Sequence, residues 1–294
     1  MKTIIVYKGG GAKGLIQASC IAELSTQGFN FNTPNLHIGT SVGAINAAAL
    51  ACGIKPDMLF KFYPDMLKAI FSSPLYPLFP KYKRENFIKE WRAIINPSIK
   101  LKSVLTRLII TSVDRRTDKP HFFKSWEAKD GELKLTDVIC RSFAAPYYFG
   151  QINDPVEQKI WVDGGCGIDN LPLEYAYIEA DLQDWLNEPL TFLCIGTGYS
   201  ETIKPYKELA KEGVMKQLKD FFNLSNGGMA RVMSSWAQID RVLKQIDKRK
   251  NVKFLYYDIQ IPKAADGMDK IKFIDQYIQW GKQMAKKPLI ERVI

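Results

Sequence analysis

Ser41 is the residue whose surroundings most plainly suggest chemistry. It lies in Gly39-Thr40-Ser41-Val42-Gly43, between the short apolar run Leu36-His37-Ile38 and a small-residue stretch from Ala44 to Cys52. Gly-x-Ser-x-Gly between a strand and a helix is the pattern of a nucleophile elbow. Its logic is steric: a serine on a tight strand-to-helix turn has a strained backbone, and only residues without bulk fit two places to either side. The helix that follows points its positive N-terminal end at the serine, where it favours negative charge. The pattern also occurs in ordinary loops, so a nucleophile here needs a base, oxyanion donors and room for an acyl chain elsewhere in the sequence.

Two further stretches bear on that need. Gly9-Gly10-Gly11-Ala12-Lys13-Gly14 follows the apolar run Thr3 to Tyr7. It formally satisfies Gly-x-Gly-x-x-Gly, but no acidic residue lies near positions 29 to 35 to hold the ribose of a dinucleotide. A phosphate-binding P-loop needs Gly-Lys-Ser/Thr, and the order here is Lys13-Gly14-Leu15. A nest of backbone N–H groups facing an oxyanion remains, beside a plain tight turn. The second stretch is Asp163-Gly164-Gly165, which closes the run Lys159 to Val162. A carboxylate at a strand end beside two glycines can project into a cleft, although Asp-Gly turns are common in their own right.

The elements that must position these residues alternate along the chain. Thr3 to Tyr7 reads as a buried strand, followed by a helix from about Leu15 to Gln27 that Gly28 stops. After the elbow come helices over Pro56 to Ile70 and Glu85 to Ile95, then a hairpin of Arg107 to Val113 with His121 to Trp126. A helix from Thr136 to Ser142, the strand Lys159 to Val162, a helix from Leu171 to Ala180 and the strand Thr191 to Ile195 follow. Further on, helices are expected over Tyr206 to Phe222 and Gly228 to about Lys248, then a strand Lys253 to Ile261 and a helix Lys270 to Met284. Strands alternating with helices from both ends of the chain point to one α/β domain over residues 1–294. Its core would span about residues 3–200, with a helical cap and a returning strand over about 200–294.

Length and composition narrow the class. The 294 residues are 46% hydrophobic and 24% charged, enough to bury a full core and unlike a disordered chain. Five cysteines, odd in number and with no Cys-x-x-Cys, and only two histidines argue against a disulfide framework and a zinc site. That usage fits a reducing compartment. The N-terminus starts a strand without a signal-like apolar stretch, and no run of about 18 apolar residues occurs, so a cytoplasmic protein is expected. The net charge of +10 fits anionic partners, a nucleic acid or an acidic membrane surface, and fits a lysine-rich solvated surface at least as well.

Taken together, the blocks resemble the patatin-like phospholipases, acyl hydrolases that use a serine–aspartate dyad. The resemblance rests on Gly9-Gly10-Gly11-Ala12-Lys13-Gly14, Gly39-Thr40-Ser41-Val42-Gly43-Ala44 and Asp163-Gly164-Gly165 in that order. Ala144-Ala145-Pro146, Asn170-Leu171-Pro172 and Phe192 to Gly198 support it, so that it covers about residues 3 to 200. It implies a three-layer α/β/α fold with a mostly parallel central sheet and helical C-terminal additions. It makes Ser41 the nucleophile and Asp163 its base, with Gly9, Gly10, Gly11 and Val42 lending N–H groups to the oxyanion. Lys13 would bias that hole electrostatically, and Gly39, Gly43, Gly164 and Gly165 would support the turns. Lys8 departs from relatives that carry an acidic or small residue there, with little consequence for backbone donors. His37, four residues before Ser41, and His121, in the hairpin, have no orienting acid in register and read as structural. No metal or cofactor is implied, and no calcium loop is visible.

The implied activity is hydrolysis of fatty-acyl esters of glycerophospholipids or lysophospholipids through an acyl-enzyme. The alternatives are a lipid-binding protein that keeps the fold without turnover and a signal-activated membrane-degrading effector. A nucleic-acid partner has no module to support it. The expected partners are the acyl-ester substrate, an anionic membrane surface met peripherally and a second copy of the chain. Phe71 to Phe87, with its aromatics, prolines and Lys81, Lys83 and Arg84, is the candidate membrane-facing or lid segment. Met229 to Met233 and Trp236 read as core rather than as the wall of an acyl site.

Overall fold

The computed structural model describes residues 1–71, 80–167, 170–200, 215 and 236–293. Five parallel strands form the centre of a nine-stranded sheet, in the order β3 (Leu108–Asp114), β2 (Leu36–Thr40), β1 (Lys2–Tyr7), β7 (Leu190–Ile195) and β8 (Val252–Tyr257). Antiparallel strands finish it: β4 (Lys119–Lys124) and β6 (Lys159–Asp163) on β3, β5 (Ile152–Asp154) on β6, and β9 (Ile290–Val293) on β8. The central strands are continuous apolar runs because both faces of the sheet are covered. Ile5 and Tyr7 of β1 join α1 (Gly14–Thr26), α2 (Val42–Ala51) and α3 (Pro56–Phe71) in one core. Ile4 and Val6 face the other way, into a core with α7 (Leu173–Leu182) and α8 (Trp236–Ile246). The result is three layers, helix on sheet on helix.

Three further helices complete the first layer: α4 (Arg84–Trp91), α6 (Leu135–Ser142) and α9 (Ile274–Met284), with the single turn α5 (Ala128–Gly131) between α4 and α6. α9 lies so close to α1 that a Cβ on Gly281 would meet the Ile16 carbonyl oxygen at 2.4 Å. α2, seven of whose ten residues are Ala, Gly or Val, is buried along its entire length. Its small side chains are what let it pass between the sheet and the helices around it.

One detail of the topology positions the site. β4 runs along one edge of β3 from Ile109 to Asp114, so β2 and β6 must share the other edge. β2 pairs in parallel up to Thr40 opposite Thr111, and β6 comes down antiparallel until Asp163 stands opposite Ser112. The two strands therefore end head to head at neighbouring residues of β3.

Several boundaries differ from the pattern-based expectation for local reasons. The strand expected to run to Ile261 stops at Tyr257, because the Asp258 carboxylate accepts the N–H groups of Gly198 (2.8 Å) and Ile259 (3.0 Å) and turns the chain. The helix expected from Leu171 starts at Leu173, with Pro172 outside it at ψ 47. The last helix starts at Ile274, after the 3-10 turn Ile271–Phe273. β5 and β9, three and four residues long, are too short for a period-two signal. Trp236, expected in the core, is 41% exposed and packs edge-on against Tyr199. The helix expected over 206–222, apart from helical Met215, together with Met229 to Met233 and residues 72–79 of the candidate membrane segment, lies outside the described residues.

At the N-terminus of α2, a Cβ on Gly43 would sit 2.4 Å from the Tyr7 carbonyl oxygen and 2.8 Å from that of Lys8. Both are backbone atoms at the end of β1 and cannot rotate away. Gly43→Ala is therefore expected to lower the unfolding free energy by about 1–3 kcal/mol, measured by urea denaturation; an unchanged midpoint would show that α2 does not pack this tightly on β1.

Candidate active site

Ser41 stands on the turn between β2 and α2 with φ 55 and ψ −123, a left-handed conformation that L-residues rarely adopt. The turn is tight enough that a Cβ on Gly39 would meet the Gly43 carbonyl oxygen at 2.4 Å. This is the steric demand that the Gly-x-Ser-x-Gly spacing implies. The Ser41 N–H donates to the Ser142 hydroxyl at 2.8 Å, anchoring the strained residue to the end of α6.

Across the β2–β6 junction, the Ser41 hydroxyl donates to Asp163 Oδ2 at 2.7 Å. The other carboxylate oxygen accepts the Gly165 N–H at 2.8 Å. Gly164 is needed between them, since a Cβ there would meet Thr111 Oγ1 at 2.3 Å. Both Ser41 and Asp163 are buried. Burial pushes the Asp163 carboxyl from 3.8 up to about 6, against the opposing pull of the Ser41 hydroxyl and the Gly165 N–H.

The glycine loop passes directly over the serine: a Cβ on Gly9 would lie 3.2 Å from Ser41 Cβ. Its two ends are pinned. The Gly9 N–H donates to the Asn170 carbonyl at 2.8 Å, the Thr197 hydroxyl donates to the Gly9 carbonyl at 2.9 Å, and the Ala12 N–H donates to the Met268 carbonyl at 2.7 Å. Gly9 is thus not a free oxyanion donor, contrary to expectation, because its N–H already has a backbone acceptor. The N–H groups of Gly10, Gly11 and Val42 have no protein acceptor among the described residues. Gly11 takes φ 61, which glycine tolerates best. Lys13 also departs from expectation: its ammonium is paired with Asp266, so its charge is neutralised locally rather than directed at the loop.

Neither histidine approaches the pair. His37 is fully buried, with Nδ1 2.8 Å from the Tyr7 hydroxyl, and burial pushes it down to about 3, so that it stays neutral. His121 Nε2 lies 3.2 Å from Asp130 in the β4 region. Among the described residues, no group of three or more His, Cys, Asp or Glu side chains is arranged to hold a metal ion.

Ser41 and Gly11 open onto a narrow cavity of about 30 Å³ whose other lining residues are all apolar. α2 contributes Val42 and Ile45, α3 contributes Met66, Leu67, Ile70 and Phe71, and Phe87, Phe143, Phe149 and Met268 close it. Ser142 and Met268 join this site without a spacing signal of their own. Thr197 and Asn170 lie in blocks that the sequence singles out, whereas Ser142 and Met268 do not.

The description Patatin-like phospholipase belongs to the family model that matches residues 5–177, more than half of the chain; the span contains the glycine loop, Ser41, Ser142, Asp163 and Asn170, whereas Thr197, Asp266 and Met268 lie beyond it. The chain belongs to the patatin-like phospholipase family. It is 29% identical over 193 residues to a cGAMP-activated phospholipase of Vibrio cholerae, covering 57% of this chain and 54% of that protein. It is 28% identical over 153 residues to protein teg of Priestia megaterium, covering 49% and 48%. The chain thus spans about half the length of these curated relatives. The crystal structure of VipD from Legionella pneumophila is a more distant likeness, with TM-score 0.44 and 12% identity over 95% of this chain and 66% of that one.

For this patatin-like chain the raised carboxyl has a stability consequence. Between pH 3.8 and about 6, folded Asp163 holds a proton that the unfolded chain has released, so this group makes stability fall as pH rises through that window. Relative to Asp163→Asn, the wild-type protein should lose on the order of 2–3 kcal/mol of unfolding free energy between pH 4 and 7. Chemical denaturation of both proteins at several pH values checks this, and parallel pH dependences would contradict a strained buried carboxylate.

Proposed function

We propose that this protein is a lipid acyl hydrolase in which Ser41 is the nucleophile and Asp163 its base. The observation that carries the reading is the 2.7 Å hydrogen bond from the Ser41 hydroxyl to the buried Asp163 carboxylate, at the mouth of an apolar pocket. Family membership supports the same chemistry. Ionised Asp163 takes the hydroxyl proton as Ser41 Oγ attacks the ester carbonyl carbon. The N–H groups of Gly10, Gly11 and Val42, with the N-terminal end of α2, are suited to receive the tetrahedral oxyanion. Collapse of that intermediate expels the alcohol, which leaves with the proton held by Asp163. Water then gives a proton to Asp163 as its oxygen attacks the acyl carbonyl; the bond to Ser41 Oγ breaks, Asp163 returns the proton to that oxygen and the fatty acid leaves. The aromatic and aliphatic lining matches a fatty-acyl chain in character, and the cavity of about 30 Å³ must widen to take one.

The substrate would be a glycerophospholipid or lysophospholipid, met at an anionic membrane surface to which the +10 charge draws the protein, at roughly 1 kcal/mol per well-placed Lys or Arg. No described helix is long and apolar enough to cross a membrane. The named cGAMP activation of the Vibrio relative extends the reading to a regulated enzyme, so the assay below is run with and without that nucleotide.

Liposomes of phosphatidylcholine and phosphatidylglycerol, incubated with the protein and analysed by mass spectrometry, should release fatty acid. Ser41→Ala should lower the rate by roughly 10³-fold or more; equal release by both proteins would remove Ser41 as nucleophile. Because the base works only when ionised, the rate should climb as pH rises through about 6 and level off above it. A flat profile from pH 4.5 to 8 would point to a base other than Asp163.

A further inference from the structure

A donor set built on consecutive glycines has no side chains to hold it, and preorganisation is what makes such donors effective. One end of the loop is fixed by Asn170 and Thr197. The other end depends on a segment far along the chain, beyond the residues that the family model matches. There the Met268 carbonyl accepts the Ala12 N–H at 2.7 Å, and the Met268 backbone rests on Gly11 so closely that an added Cβ would meet its carbonyl oxygen at 2.3 Å.

Two aspartates flank Met268 and tie it down. Asp266 pairs with Lys13 at the start of α1 and accepts the Ser200 hydroxyl at 2.5 Å. Asp269 lies 2.6 Å from Lys81 Nζ and accepts the Tyr82 hydroxyl at 2.9 Å. Tyr82 in turn packs edge-on against Phe71, one of the pocket's walls, at 5.0 Å between ring centroids. The base of the segment is held as well, by the Tyr277 hydroxyl donating to the Ala265 carbonyl at 2.9 Å. The four charged side chains are only 11–25% exposed, so solvent and salt screen these pairs less than surface ones.

We propose that Asp266 and Asp269 are positioning residues: through Lys13 and Lys81 they seat the Met268 carbonyl on Ala12 and thereby fix the N–H groups of Gly10 and Gly11 towards the oxyanion. The proposal rests on the hydrolase reading, and it assigns to the C-terminal part of the chain a role in catalysis that the elbow and the dyad do not supply. Neither aspartate touches substrate. Their effect passes through the loop, so it should appear in the chemical step rather than in substrate affinity.

The test compares wild type, Asp266→Asn, Asp269→Asn, the double variant and Asp269→Glu. Two quantities are read: kcat and KM on the soluble ester p-nitrophenyl butyrate, and deuterium uptake of the peptide covering residues 8–15. In the double variant kcat should fall about ten- to a hundred-fold, less than the roughly 10²–10³-fold cost of removing an oxyanion donor outright, while KM changes little and uptake in 8–15 accelerates. Asp269→Glu should recover most of the single variant's loss. An unchanged kcat with unchanged uptake overturns the proposal. So does a loss confined to KM, which would make the segment only a wall of the pocket, or a rise in kcat, which would make it a plug. If wild type turns over no ester, the hydrolase reading fails, and the uptake measurement alone decides whether the aspartates hold the loop. Should the double variant fail to fold, Lys81→Gln, at the rim, is read by the same two measures.

Discussion

Two strands ending head to head on one edge of β3 are the constraint on which the rest of the site depends. β2 arrives in parallel and β6 antiparallel, and their last residues stand opposite Thr111 and Ser112. That arrangement puts Ser41 and Asp163 within 2.7 Å although 122 residues separate them in the chain. It also asks for two unfavourable things at once. Ser41 must hold a left-handed backbone, which costs about 1–3 kcal/mol, and Asp163 must keep a carboxyl where burial raises it to about 6. Each is sustained by neighbours with fixed geometry: Ser142 on the Ser41 N–H, Gly165 on Asp163 Oδ1, and a fully buried α2 behind both.

The same crowding explains where glycine is needed. At Gly39 and Gly164 a Cβ would fall within 2.4 Å of an atom of the junction, and at Gly43 it would fall equally close to the Tyr7 carbonyl oxygen at the end of β1. In the loop over Ser41 the glycines serve differently, leaving backbone N–H groups uncovered rather than making room for a neighbouring strand. A loop of that kind is soft unless something outside it supplies rigidity. Here the supports come from three places: Asn170 after the aspartate block, Thr197 at the end of β7, and Met268 near the C-terminal helix α9.

The pocket shows a similar division of labour. Its floor is made by the elbow and α2, but its walls come from α3, α4 and the aromatic segment after α6, whose rings pack on one another as Phe71–Phe149 and Phe87–Phe143. These rings meet tilted and edge-on, and the wall they build presents no polar group towards Ser41.

By itself the sequence determined the parts whose logic is local. Period and composition were enough for the alternation of strands and helices, because each element's burial pattern repeats within a few residues. The glycines around Ser41 announced a tight turn because only the absence of a side chain permits one. The block order then made the family and the three-layer architecture legible. What only the tertiary structure decided lies between segments. Nothing in Asp163-Gly164-Gly165 says that β6 runs antiparallel and ends against β2. Nothing in Gly9 says that its N–H is already taken by Asn170, or in Lys13 that its charge belongs to Asp266. Ser142, Met268 and the two aspartates beside Met268 carry no spacing signal, since a hydrogen bond between distant residues depends on where the chain returns and leaves no period behind. The serine could be picked out from five residues; what holds it, and what faces it, required the sheet.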